Sequence, residues 1–193
     1  VEPGQSVALV GPTGAGKSTV VNLISRFYDV QGGEVLVDGY NVSDVTLHSL
    51  RSQMGIMLQD SFIFSGTIEE NVKYGRLNAT MDEVRDACHV VHADEFIEEM
   101  RHGYRAEVQE RGGRLSQGQK QLLSFARTII SDPKILILDE ATSAIDTKTE
   151  QYVQEGIAHL LKGRTSFIIA HRLSTIQNCD KIMYVADQNI QEY

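Results

Sequence analysis

The 193-residue sequence predicts an α/β fold: a parallel sheet, a small antiparallel part and an inserted helical lobe. Three observations carry this. The apolar run Ser6–Val10 leads into the glycine-rich turn Gly11–Ser18 and then into apolar residues at helical spacing. A second run, Ile135–Leu138, shows no alternation and ends in Asp139-Glu140, as expected of a parallel strand covered on both faces. Between about residues 60 and 130 the periodicity is helical.

Taken in order, Ser6–Val10 is a buried strand, and Val20, Val21, Leu23, Ile24 and Phe27 mark the helix after the turn. Gly32-Gly33 turns the chain into a strand at Glu34–Val37, and Asp38-Gly39 closes a hairpin. The apolar stretch Met54–Leu58 is another strand. Thr67 with Glu70, and Thr80 with Glu83, are capping boxes that open two helices. Val84, Ala87, Cys88 and Val91 give the second a core face. Ser116 caps a helix striped by Leu122, Leu123, Phe125, Ala126, Ile129 and Ile130. Pro133 ends it. Then follow the strand Ile135–Asp139, a helix from about Thr147 to Lys162 stopped by Gly163, and strands Thr165–Ala170 and Lys181–Val185.

Gly11, Pro12, Thr13, Gly14, Ala15, Gly16, Lys17 and Ser18 fit G-x-x-x-x-G-K-[ST] at every fixed position. Glycine lets successive amides turn inward around a phosphate, at a helix start whose unpaired N–H groups favour an anion. Lys17 suits the β- and γ-phosphates, and the Ser18 hydroxyl, followed by Thr19, suits Mg²⁺. Asp139 reaches the carboxyl edge of the same sheet as an acceptor for Mg²⁺. Glu140, one residue on, can hold or deprotonate an attacking water. The other reading of that acidic pair is a solvated turn. His171 follows a strand at the same edge, as a polar terminus or a γ-phosphate contact. Gln59 also follows a strand, as a loop amide or a group that touches Mg²⁺ or water.

Leu115-Ser116-Gln117-Gly118-Gln119 reads either as a capped helix or as a second anion site. Arg111-Gly112-Gly113-Arg114 just upstream favours the second. On a separate lobe it would serve a phosphate held by a second molecule.

On these residues the chain resembles the nucleotide-binding domain of an ABC transporter (the ATP-binding cassette), exporter type. Gly11–Ser18 is similar to the Walker A loop, Gln59 to the Q-loop residue, and Phe64–Asn71 to the exporter segment beyond it. Glu110-Arg111-Gly112 is similar to the X-loop, Leu115–Gln119 to the LSGGQ signature and Ile135–Asp139 to the Walker B strand. Ser143–Asp146 is similar to the D-loop and His171 to the switch histidine.

The resemblance implies a P-loop NTPase (RecA-like) core, residues 1–58 and 131–193, with a helical subdomain at 60–130 inside one ATPase domain. It implies ATP and Mg²⁺, with Gly11–Thr19, Ser116, Gly118 and Gln119 on nucleotide and Ser18, Gln59 and Asp139 on metal. Glu140, His171, Lys17 and Gln59 would be catalytic. It also implies a second nucleotide-binding domain and a transmembrane domain as partners, at the cytoplasmic face of the cell membrane. Phe62, Ile63 and Phe64 are either a docking patch for that partner or interior.

Two departures stand out. Gln117 occupies a position where the family usually has Gly, and the aromatic residue that the family supplies upstream for adenine does not precede Gly11. The chain therefore reads as a fragment.

Composition narrows the field. The net charge of −8 argues against a general nucleic-acid surface. The two cysteines, Cys88 and Cys179, at no paired spacing, suit a reducing compartment. Cys88-His89 with His92 reads as ordinary helix residues rather than a metal site. No apolar run is long enough to cross a bilayer. The competing function is a soluble ABC-type ATPase of DNA repair or translation, which carries long coiled coils, basic surfaces or paired cassettes. A P-loop kinase or GTPase would lack the Ser116 segment.

Overall fold

Val7, Ala8 and Leu9 are all fully buried, so the first strand has no solvent face and lies inside a sheet. The computed structural model describes residues 1–57, 62–139, 146–170, 173–186 and 189–192. In chain order come β1 (Ser6–Val10), α1 (Lys17–Ile24), β2 (Leu36–Val37), β3 (Tyr40–Asn41), α2 (Leu47–Arg51) and β4 (Met54–Met57). Next are β5 (Gly66–Thr67), α3 (Ile68–Lys73), α4 (Met81–Val90), α5 (Ala93–Glu99), β6 (Glu107–Val108) and α6 (Gln117–Ser131). The last are β7 (Ile135–Asp139), α7 (Thr147–Leu161), β8 (Thr165–Ile169), α8 (Leu173–Gln177), β9 (Lys181–Ala186) and β10 (Asn189–Glu192). The chain divides into one unit of Val1–Ile56, Pro133–Glu140 and Gly163–Tyr193, and another of Met57–Asp132 and Ala141–Lys162.

The first unit is built on a sheet ordered β10-β9-β1-β8-β7-β4. β1 pairs in parallel with β8 and β9, and β7 in parallel with β8, while β10 closes the edge antiparallel to β9. Val7, Leu9, Ile137, Ile169 and Val185 from the sheet pack with Val21 of α1. A second cluster, Val42, Leu50 and Met54, takes in Ile24, Val35 and Ile135. The β2–β3 hairpin turns through Asp38 (φ 51°) and Gly39 (φ 81°), the paired positive φ of a type I′ turn. Asp180 clasps the start of β1: its carboxylate accepts from the Ser6 amide at 2.7 Å and the Ser6 hydroxyl at 2.8 Å.

The second unit is helical around α6, which packs on α3, α4, α5 and α7. Both expected capping boxes are present at Thr67/Glu70 and Thr80/Glu83, and Val84, Ala87, Cys88 and Val91 are buried as the periodicity predicts. Gly156 of α7 lies where a Cβ would come within 2.8 Å of the Phe125 ring, so the two helices meet at close range there. Gly75 abuts the backbone carbonyl of Arg127 in the same manner.

Some expectations need adjusting. Phe27 is outside α1, which stops at Ile24, and is about half exposed. The strand at Glu34–Val37 is paired only over Leu36–Val37. α2, α5, α8, β10 and the β5–β6 ribbon have no counterpart in the sequence reading.

Candidate nucleotide-binding site

The turn between β1 and α1 is shaped by glycines with positive φ: Gly11 (147°), Gly14 (80°) and Gly16 (103°). Gly11 is pressed against β9, where a Cβ would overlap the carbonyl oxygen of Val185. At Gly14 and Gly16 the reverse holds: nothing lies within 4 Å of where a Cβ would be, so the loop opens onto free space. The Ala15 amide closes the turn on the Pro12 carbonyl at 3.2 Å. Pro12 and Thr13 are exposed at the rim, and Ala15 is half-buried.

Gly16 is the N-cap of α1, and no side chain caps that helix start. The first helical bond runs from Val20 N to Gly16 O, so the amides of Lys17, Ser18 and Thr19 lie ahead of the helical ladder. Such a start favours an anion. The Lys17 side chain curls back into the loop, only 9% exposed, and its Nζ donates to the Gly11 and Pro12 carbonyls at 2.8 Å each. An ammonium has three donors, so one remains for a phosphate oxygen. Ser18 and Thr19 are exposed beside it.

Strand register brings the acid to this edge. Asp139 stands opposite Ile169, and Ile169 opposite Leu9, two residues before Gly11. Asp139 is thus two strands away from the loop at the same carboxyl end, about 10 Å across the sheet. A hydroxyl, a carboxylate and an amide oxygen are hard oxygen donors that fit Mg²⁺. Gln59, Glu140, His171 and Ser143–Ile145 lie outside the described residues. Asp146 caps α7, accepting from the Thr149 amide at 3.0 Å.

The second expected phosphate contact is on the helical unit. Ser116 and Gln119 form a reciprocal capping box: the Gln119 amide donates to Ser116 Oγ at 3.2 Å, and the Ser116 amide to Gln119 Oε1 at 2.9 Å. Ser116 is exposed, Gln117 half-buried and Gly118 buried. The alternatives for Phe62–Phe64 split: Ile63 is fully buried, while Phe62 is 47% exposed. Arg127 lies over the Phe64 ring and donates to the carbonyls of Phe62 and Asn71.

Of the group Cys88, His89 and His92, only Cys88 is buried in the core. Cys88 is buried, its thiol pushed up to about 12 by desolvation first and by Asp94 second. His89 Nδ1 pairs with Asp94 at 2.6 Å, and His92 Nε2 with Glu155 at 2.8 Å. The Val185 carbonyl against Gly11 escaped sequence reasoning, because no local pattern announces which strand a turn will touch.

The sequence model of the ABC transporter family matches residues 1–143, and the chain belongs to that family. An uncharacterized ABC transporter ATP-binding protein, YknV of Bacillus subtilis (strain 168), is 56% identical over 95% of this chain and 30% of its own length. A fatty acid ABC transporter ATP-binding/permease protein of Mycobacterium bovis is 49% identical over 99% of this chain and 30% of its own. The structure of a bacterial Atm1-family ABC exporter with ATP bound superposes with a TM-score of 0.91 at 44% identity, covering all of this chain and 34% of that one. Within the family it is similar to the ATP-binding part of an exporter-type member. The chain spans about a third of the length of the relatives it matches. Among the described residues no helix is long and apolar enough to cross a membrane.

Proposed function

We propose that residues 1–193 are one ATPase domain that works as half of a head-to-tail pair, hydrolysing ATP to drive export through a transmembrane domain. The observation that carries this is the open, glycine-shaped loop around Lys17, set at one sheet edge with Asp139. Each ATP is gripped by Gly11–Thr19 of one copy and capped by Ser116, Gly118 and Gln119 of the other. The capping box supports that role, because it orders an exposed serine ahead of a fifteen-residue helix.

Ser18, Asp139 and Gln59 would hold Mg²⁺, which would neutralise charge on the phosphate oxygens. Glu140 orients the water and takes its proton as the oxygen attacks the γ-phosphorus in line, and the bond to the leaving ADP oxygen breaks. Lys17, His171 and the opposing helix start absorb the developing charge. Gln117 at the first turn of α6 leaves Ser116 and Gly118 in place, and alters kinetics rather than abolishing function. Exposed Phe62, whose ring meets that of Phe64, which in turn stacks on exposed Tyr74, is the proposed docking patch for the membrane domain, which sets the domain at the cytoplasmic face.

Glu140→Gln in the full-length transporter tests the mechanism. It is expected to trap an ATP-dependent pair with turnover lowered at least about 100-fold. Wild-type turnover in that variant would remove Glu140 as the base.

A further inference from the structure

The far end of α1 is held by a side chain outside the family motifs, and we propose that Arg51 positions the phosphate loop through it. α1 ends in a complete Schellman arrangement: Arg26 N donates to Leu23 O at 3.1 Å and Phe27 N to Asn22 O at 2.8 Å. The residue that must then turn left-handed, usually a glycine, is Arg26 (φ 52°). A side chain there is strained, and its own guanidinium offsets the strain. Arg26 Nη1 donates to the carbonyls of Val42 and Val45, each at 3.0 Å.

Two carbonyls just past the helix end, those of Ser25 and Arg26, accept from Arg51. Its Nε donates to Ser25 O at 3.2 Å and its Nη2 to Arg26 O at 2.8 Å, while the guanidinium lies 4.7 Å from the centre of the Phe27 ring. One planar fork therefore satisfies two carbonyls at the negative end of the helix and stacks on the next residue. Arg51 is the last residue of α2, three positions before β4. It ties the helix that carries Lys17 to the segment that leads towards Gln59. α1 has only eight residues, about 12 Å from one end to the other, so a shift at its end is felt at the loop.

A residue that positions the loop, rather than merely stabilising the fold, alters ATP affinity in molecules that remain folded. The proposal rests on the ATPase reading above. In the full-length transporter, Arg51→Met and Arg51→Lys are compared with wild type by ATPase kinetics, by equilibrium binding of a fluorescent ATP analogue and by thermal unfolding.

Arg51→Met is expected to raise KM and the analogue's Kd about 10-fold, with kcat per folded molecule within about 3-fold of wild type; a 1 Å misplacement can cost up to about 10²-fold. Arg51→Lys keeps the charge without the fork and is expected to give about half that effect on a logarithmic scale. Should Arg51→Met not fold, Arg51→Lys decides alone. A lysine variant with wild-type KM and Kd overturns the proposal, as does a lowered kcat at unchanged KM. Wild-type protein that binds no ATP analogue would instead overturn the underlying ATPase reading.

Discussion

Lys17 carries the heaviest demand of any single side chain, because its buried ammonium serves both the loop's carbonyls and the proposed phosphates. Lys17→Ala removes both, and is expected to lower ATP turnover at least about 100-fold while leaving the helical unit folded, as circular dichroism and steady-state assays would show. Other residues speak through pH. The Ser6 amide, and then its hydroxyl, hold the Asp180 carboxyl below its ordinary value. The amides and hydroxyls of Thr67 and Thr80 do the same for Glu70 and Glu83. Their contribution is present above the unfolded carboxylate pKa of about 4 and is lost as pH falls through the folded values. Asp180→Asn is therefore expected to flatten the acid limb of a plot of thermal midpoint against pH. His89 runs the other way. Its hydrogen bond to Asp94, and then that carboxylate's charge, raise its pKa, so its contribution is full below about pH 6.5 and fades as pH rises through the raised value. His89→Gln is expected to lower the thermal midpoint at about pH 5.5 more than at about pH 8.5; equal losses would contradict the pairing.

At the scale of elements, the start of α6 and its contact with α7 are the features to perturb. Ser116→Ala removes the cap and is expected to destabilise the helical unit by about 1 kcal/mol, read by denaturant unfolding. Gly156→Leu forces a side chain into the Phe125 ring and is expected to cost about 1–3 kcal/mol by the same measurement. Elements whose determinants are local were legible in the sequence. The phosphate loop, the boxes at Thr67/Glu70 and Thr80/Glu83, and the unalternating strand Ile135–Asp139 each declare themselves within a few residues. Elements decided at long range were not. The end of α1 depends on Arg26 reaching the carbonyls of Val42 and Val45, and on Arg51 reaching back, so a periodicity that continued to Phe27 overran it. β5 and β6 are two-residue strands some forty positions apart, with no pattern of their own. β10 owes its place to pairing with β9. At Phe62–Phe64, alternation alone could not say which ring stays exposed, because Arg127 and Asn71 on two helices decide it.

For the whole molecule, the proposed function requires that neither copy completes a site alone. Lys17 and Ser116 lie on different units of one chain, and the proposal assigns them to opposite sides of each ATP. Variants that damage one side are then complementary between copies. Full-length Lys17→Ala and Ser116→Arg transporters, each expected to be inactive alone, are mixed under conditions that exchange subunits, and ATP turnover is measured across the mixing ratio. A mixed pair holds one intact loop facing one intact helix start, so turnover is expected to reappear and to peak near equal proportions. Turnover that stays at the level of the separate variants at every ratio, with mixed pairs shown to form, would contradict a site shared between two copies.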